Sequence, residues 1–235
     1  MFSSNTALAF ASAVFLFVRR KILRAGLLLS VLFGSALFFP EALEGAFLVC
    51  DFRERRALVR PPVVRQGAFV ETVLPVSCFI IAKNEADRIP LAIRAVRAWV
   101  DEVIVVVDRA SSDGTGDIAR SLGATVVENA WPGYGLQKRF GEDQCRNAWL
   151  LNVDADEEVT GELAAEIRAL FARGEPGADG YAMPIVDLFP GEEQPGRFAY
   201  AYVPVRLYRR DRGRYSDSPV HDRVAFEAGA RTERL

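Results

Sequence analysis

"WLLNVDADEEVT", residues 149–160, decides how the body of this 235-residue chain is read. A short apolar run, as expected of a strand buried on both faces, ends in Asp154 and Asp156, and Glu157 and Glu158 follow at once. Carboxylates this close repel one another unless a cation stands among them, so the stretch asks for a positive partner. Asp-x-Asp leaving a strand suits a hard divalent cation, which takes oxygen ligands and is commonly shared with substrate phosphates. The residues alone leave a plainer reading open: a solvated acidic loop at the start of a helix, where carboxylates favour the helix dipole.

Outward from this stretch the chain alternates. "VSCFIIA" (76–82) and "EVIVVVD" (102–108) are continuous β-branched runs, and "ATVVE" (124–128) and "NAWLLNV" (147–153) are further strands. Between the first two, Ile89, Ile93, Val96 and Val100 stand at helical spacing. Asp113 is placed to cap a helix over 114–122, closed by Gly123, and Thr160 to cap one whose apolar face is Leu163, Ile167, Leu170 and Phe171. Strands and helices alternating at this pitch predict an α/β domain with a mostly parallel sheet and helices on both faces. Ligands bind such sheets beyond the carboxyl ends of the strands. Three of those ends carry Lys83-Asn84-Glu85, Asp108 and Asp154/Asp156, which should converge on one crevice.

Several chemistries are excluded or weakened. An EF-hand loop starting at Asp154 wants Gly and Glu where Val159 and Ala165 stand. A haloacid-dehalogenase-type phosphatase wants Thr or Val in place of Glu158, and it normally carries its motif on the first strand. No GxGxxG or P-loop is present. The net charge of −2 argues against bulk nucleic-acid binding. Cys50, Cys78 and Cys145 have spacings that suggest neither a disulfide framework nor a zinc site.

The front of the chain differs from its body. Residues 1–75 hold nine Lys/Arg against five Asp/Glu, the remainder 20 against 26. "TALAFASAVFLFV" (6–18) and "AGLLLSVLFGSALFF" (25–39) flank Arg19, Arg20, Lys21 and Arg24, and each run is shorter than a spanning helix needs. The division expected is an apolar, membrane-associated helical segment over 1–50, a basic linker over 51–74 containing Pro61-Pro62, and a compact domain over 75–235. The basic turn would sit at anionic headgroups of the cytoplasmic membrane face.

"FIIAKNEADRIPLAIRAV" (79–96), "DEVIVVVDRASSDGTGDIARSLGATVVEN" (101–129) and "WPGYGLQKRFGEDQCRNAWLLNVDADEEVTGEL" (131–163) together resemble the family 2 glycosyltransferases. Within them the chain looks most like lipopolysaccharide-core β-1,4-glucosyltransferases and their relatives, over about residues 75–225. The resemblance implies a GT-A fold, a nucleotide-sugar donor (a UDP-sugar), Mg²⁺ or Mn²⁺, and inversion at the anomeric carbon. It also implies a lipopolysaccharide-core or other glycan or lipid-linked acceptor. A catalytically inactive, membrane-associated nucleotide-sugar-binding or scaffold protein is the alternative class.

By position, the resemblance places Asn84, Glu85, Asp108, Asp113, Lys138 and Asp154 around the nucleotide sugar and Asp154 and Asp156 on the metal. Helix capping explains Asp113 equally well. Arg109 and Ala110 depart from the small Ser-Gly pair expected beside Asp108. In "SPVHDRV" (218–224) the chain's one histidine, His221, and Asp222 match a His-acid pair on the acceptor side. Asp222 is the expected general base, across the sugar from the metal, with Asp217 in reserve. Arg206, Arg209 and Arg210 face either an anionic acceptor or solvent at a strand edge. Relatives of this kind continue well past the His-acid pair, so a fragment, or a chain lacking part of an acceptor lid, is expected to end at Leu235.

Overall fold

A computed structural model describes residues 72–189, 192, 201–220 and 222–235, and the backbone alone of 17–20. In chain order the elements are β1 (Phe17–Arg20), β2 (Leu74–Ala82), α1 (Ile89–Arg97), β3 (Val100–Asp108), α2 (Thr115–Ser121) and β4 (Thr125–Asn129). There follow α3 (Tyr134–Gln144), β5 (Trp149–Asn152), β6 (Glu157–Val159), α4 (Gly161–Phe171), β7 (Gly180–Ala182) and β8 (Ile185–Leu188). The last are β9 (Ala201–Tyr202), β10 (Val205–Arg209), β11 (Gly213–Tyr215), β12 (Val224–Phe226) and β13 (Thr232–Arg234).

The main sheet has the order β13-β7-β10-β5-β2-β3-β4. The β5-β2-β3-β4 block is parallel, and β10 runs antiparallel to both β5 and β7. The apolar runs that read as doubly buried strands are just that. Along β2, Val76, Cys78 and Ile80 join Ile89, Ile93 and Val96 of α1, Ala119 of α2 and Leu163 and Ile167 of α4 in one core cluster. The alternate residues Phe79 and Ile81 join Ile104, Val106, Leu150 and Tyr208 in a second cluster, beside Phe140 of α3 and Tyr215 of β11. Helices therefore cover both faces, and each fully buried Ile, Leu or Val contributes about 1.5–3 kcal/mol of burial free energy.

Helix α1 stops at Arg97, so Val100 opens β3 instead of closing a helical stripe. Thr160 caps α4 as its position suggested, its hydroxyl accepting from Leu163 N–H at 3.3 Å. A second sheet, β6-β1-β8-β9, sits next to the Asp-x-Asp loop, and β1 pairs antiparallel with β6 and parallel with β8. Residues 17–20 are thus extended, which corrects the helical expectation there; the rest of the 1–50 segment and the 51–71 part of the linker lie outside the described residues. Among the described residues no helix is long and apolar enough to cross a membrane.

Candidate nucleotide-sugar site

The strand ends set the site. Parallel pairing places β2 between β3 and β5, with Ala82 opposite Val107 and Phe79 opposite Asn152. At the usual strand spacing of about 4.8 Å, β3 and β5 lie about 10 Å apart, so the loops that leave them flank the loop after β2.

Those loops are tied together. Asn84, at φ 54° in the left-handed region that asparagine tolerates, accepts from Ser112 N–H at 2.9 Å through its side-chain oxygen. Glu85 N–H donates to Thr115 Oγ1 at 2.8 Å, and its carboxylate pairs with Arg88. Burial raises the Glu85 pKa against the lowering by Arg88. Asp113 accepts from Ala86 N–H at 2.9 Å and from Thr115 N–H at 3.0 Å, so it joins the β2–α1 loop to the start of α2. The N-cap of α2 is Gly114, without a side-chain cap, so Asp113 does not cap the helix as expected and instead ties the two loops together. Asp108 is buried at the end of β3, where Lys83 Nζ lies 2.7 Å away and Ala110 N–H 3.1 Å. Those donors, the lysine foremost, hold its carboxyl below the ordinary range.

The positive partner of the acidic stretch is a pair of side chains. Lys138, on α3 and 1 % exposed, places Nζ 2.8 Å from Asp154 Oδ1 and also pairs with Asp222. Arg206 of β10, equally buried, donates from Nη2 to Asp154 Oδ2 at 2.9 Å and to Glu157 Oε1 at 2.7 Å, and from Nη1 to Asn152 Oδ1. Tyr215 donates to the same Asn152 oxygen at 2.7 Å, and its ring lies 5.0 Å from Lys138 Nζ. Burial works to raise the Asp154 pKa, but Arg206 and Lys138 outweigh it and hold the carboxyl far below the ordinary range. Burial likewise opposes charge on Lys138, and Asp154 reverses that, so the ammonium persists above lysine's ordinary value.

Asp154 was expected to share the metal, and here its two oxygens pair with Lys138 and Arg206. This arrangement corrects one expectation. Arg206 was expected to face an acceptor or solvent, yet it is buried among Asn152, Asp154 and Glu157. Arg209 and Arg210 do lie further out, on Asp211 and Glu175 and on the Cys145 carbonyl. Asp156 differs from Asp154: its side chain is 26 % exposed, 3.9 Å from Arg88, and it lines a small pocket with Arg88, Leu91, Glu157 and Glu158. Among the described residues no three His, Cys, Asp or Glu side chains group as a metal cage. Of the two aspartates expected on a metal, Asp156 is the one not held between two buried cations, so it is the residue that would hold Mg²⁺ or Mn²⁺ through a carboxylate oxygen.

Asp222, the expected base, is held by the same Lys138 ammonium as Asp154. Asp217 is 78 % exposed, 3.9 Å from Arg139. His221 lies outside the described residues. Sequence reasoning missed Asn152 and Tyr215 and named Glu157 only as part of the acidic stretch; the signal for Arg206 was a single arginine between Val205 and Leu207, both apolar.

Comparison with known proteins adds the following. Residues 77–235 match the family model described as glycosyl transferase family 2. An uncharacterized glycosyltransferase of Rickettsia bellii is 43% identical over 155 residues, 64% of this chain and 52% of that protein. One of Rickettsia prowazekii is 41% identical over 155 residues, with 64% and 53% covered. The lipopolysaccharide core biosynthesis glycosyltransferase LpsC of Rhizobium meliloti is 30% identical over 172 residues, 66% of this chain and 58% of LpsC. The chain spans about half the length of the curated relatives it matches. Among solved structures, S. aureus TarS 1-349 in complex with UDP-GlcNAc is similar with a TM-score of 0.42 at 19% identity, over 52% of this chain and 37% of that one.

Proposed function

The chain belongs to glycosyl transferase family 2, and on that premise we propose that it is a glycosyltransferase that moves a hexose from a UDP-sugar, with inversion, to a lipopolysaccharide-core or other glycan or lipid-linked acceptor. The observation that carries the reading is the pair of carboxylates after β5 in unlike surroundings: Asp154 neutralised by Lys138 and Arg206, Asp156 at a small pocket. The name of the relative LpsC supports the acceptor class.

Asp156 is the residue to hold Mg²⁺ or Mn²⁺, which when bound supplies Lewis-acid stabilisation to a departing diphosphate. Lys138 and Arg206 fix Asp154, so that the loop carrying Asp156 has one position. Asp108 and Lys83 form the nucleoside end of the cleft, and Glu85 with Arg88 forms its floor beside Asp156. Asp222, anchored through one oxygen on Lys138, offers its other oxygen to the proton of the attacking acceptor hydroxyl.

The test is hydrolysis and transfer with a panel of nucleotide sugars in Mn²⁺ or Mg²⁺. A UDP-hexose should be consumed, and Asp222→Asn should keep UDP affinity while losing about 10²–10⁴-fold in rate. Full activity in both Asp222→Asn and Asp217→Asn discards the base assignment, and no donor binding favours an inactive scaffold. We propose that the enzyme works at the cytoplasmic face of the inner membrane, on the strength of the apolar runs over 6–18 and 25–39 and of Lys21 and Arg24 between them, Arg19 and Arg20 belonging to β1. Deleting residues 23–60, which leaves β1 in place between β6 and β8, should release it from vesicles of anionic lipid; a full-length chain that ignores such vesicles rules the placement out.

A further inference from the structure

Two glycines at the start of α3 make room for the segment that leads to Asp222. Gly133 has φ +119°, and a Cβ there would stand 2.7 Å from the Cα of Pro219. A Cβ on Gly135 would stand 2.1 Å from the Ser216 carbonyl oxygen and 2.7 Å from that of Ser218. Real side chains do not approach backbone this closely, so any larger residue must push residues 216–219 away.

What the approach permits is a set of backbone hydrogen bonds. Tyr134 N–H donates to Pro219 O at 3.1 Å and Gly135 N–H to Ser218 O at 3.0 Å. These are first-turn amides that a helix leaves without internal partners, so carbonyls of residues 218 and 219 cap α3. Ser216 N–H donates to Arg223 O at 2.9 Å, closing the segment into a loop whose far side carries Asp222 to Lys138, one turn further along α3.

We propose that Gly133 and Gly135 are positioning residues: they let residues 216–220 lie against the N-terminus of α3, and that seat brings the Asp222 carboxylate onto Lys138. The inference rests on the reading of Asp222 as base for its effect on rate, and on geometry alone for its effect on the loop. Tyr134 packs its ring 5.0 Å from that of Trp131, whose backbone bonds Asp108, whereas residues 216–219 bond to the first turn of α3 and to Arg223, so the seat should act mainly on turnover and only weakly on donor binding.

The experiment compares full-length wild type, Gly135→Ala, Asp222→Asn, the double variant and Gly116→Ala. Gly116 is the control, because a Cβ there meets only ordinary contacts from 3.5 Å outward. Amide hydrogen exchange over 134–135 and 216–220, UDP binding by calorimetry and turnover of UDP-glucose or another UDP-hexose are measured for each. Gly135→Ala should speed exchange in both segments, hold UDP affinity within about twofold, and lower kcat about 10²-fold, the scale of a 1 Å misplacement. In the Asp222→Asn background it should cost no more than about a further twofold, since both changes act through one carboxylate.

Unchanged exchange, or a full multiplicative loss in the double variant, overturns the proposal. If exchange rises but Asp222→Asn is fully active, the seat stands and the base assignment above fails. Should Gly135→Ala not fold, Pro219→Gly loosens the same seat from the loop side. It must then raise exchange at 216–220 and lower kcat, and failure to do so counts equally against the proposal.

Discussion

Lys138 Nζ lies 2.8 Å from Asp154 Oδ1 and also holds Asp222, although the lysine is 1 % exposed. A buried ammonium is tolerated only where opposite charge and hydrogen bonds replace water. Here α3, the Asp-x-Asp loop and the segment after β11 each contribute a charge to one cluster, which Arg206 and Glu157 extend from β10 and β6. The site is therefore held by the same contacts that hold three parts of the fold together.

Removing one member should expose that dependence. Lys138→Met leaves three carboxylates, Asp154, Asp222 and Glu157, with Arg206 alone among them. It should lower stability by about 3 kcal/mol, the lower end for a broken buried pair because Asp154 and Asp222 are partly wet. Urea denaturation reads this directly, and an unchanged midpoint would show that the ammonium is not a structural charge. Arg206→Met should cost at least as much, since Arg206 serves Asn152, Asp154 and Glu157 at once.

Acid should act through Asp154. Its carboxyl titrates lower folded than unfolded, so the folded state binds fewer protons and stability rises with pH across that interval. The contribution is complete above the unfolded value of about 3.9 and fades as pH falls toward the folded one. Wild type should lose stability below about pH 4 more steeply than Asp154→Asn, compared by urea midpoints across that range. Parallel acid limbs in the two proteins would remove Asp154 from this role.

The cleft's location could be read from sequence, but its electrostatics could not. β2 and β3 are buried on both faces, so their unbroken apolar runs announced themselves, and their polar ends marked the site. β10 to β13 are short and carry several charges, so Arg206 looked like one more exposed arginine of "VRLYRR". Its burial depends on Asp154, 52 residues earlier, and local pattern carries no information at that range. The same holds for Lys138: the resemblance marked it, but nothing near it in sequence shows that it bridges two carboxylates. Asp-x-Asp invited the inference of a shared metal because repulsion needs a cation, and side chains supply that cation for Asp154.

The described cysteines should be inert in the folded protein. Burial pushes the Cys145 thiol up to about 12 and raises Cys78 as well, so neither forms the reactive thiolate at neutral pH. Iodoacetamide at about pH 8 should leave both unmodified by mass spectrometry and label them once the protein is unfolded in urea, given an unperturbed thiol pKa of about 8.5. Labelling of Cys145 in the native state would mean that α3 opens readily at its C-terminal end.

The central claim is that the cleft takes a nucleoside diphosphate together with a divalent cation through Asp156, while Asp154 belongs to the protein's own cations. Calorimetric titration of UDP, with and without Mn²⁺, into wild type and Asp156→Ala tests it most directly. UDP should bind wild type at least about tenfold more tightly with Mn²⁺, a difference of about 1.4 kcal/mol, and Asp156→Ala should lose that gain while remaining folded. Equal UDP affinity with and without Mn²⁺, or a Mn²⁺ gain that survives in Asp156→Ala, would contradict it.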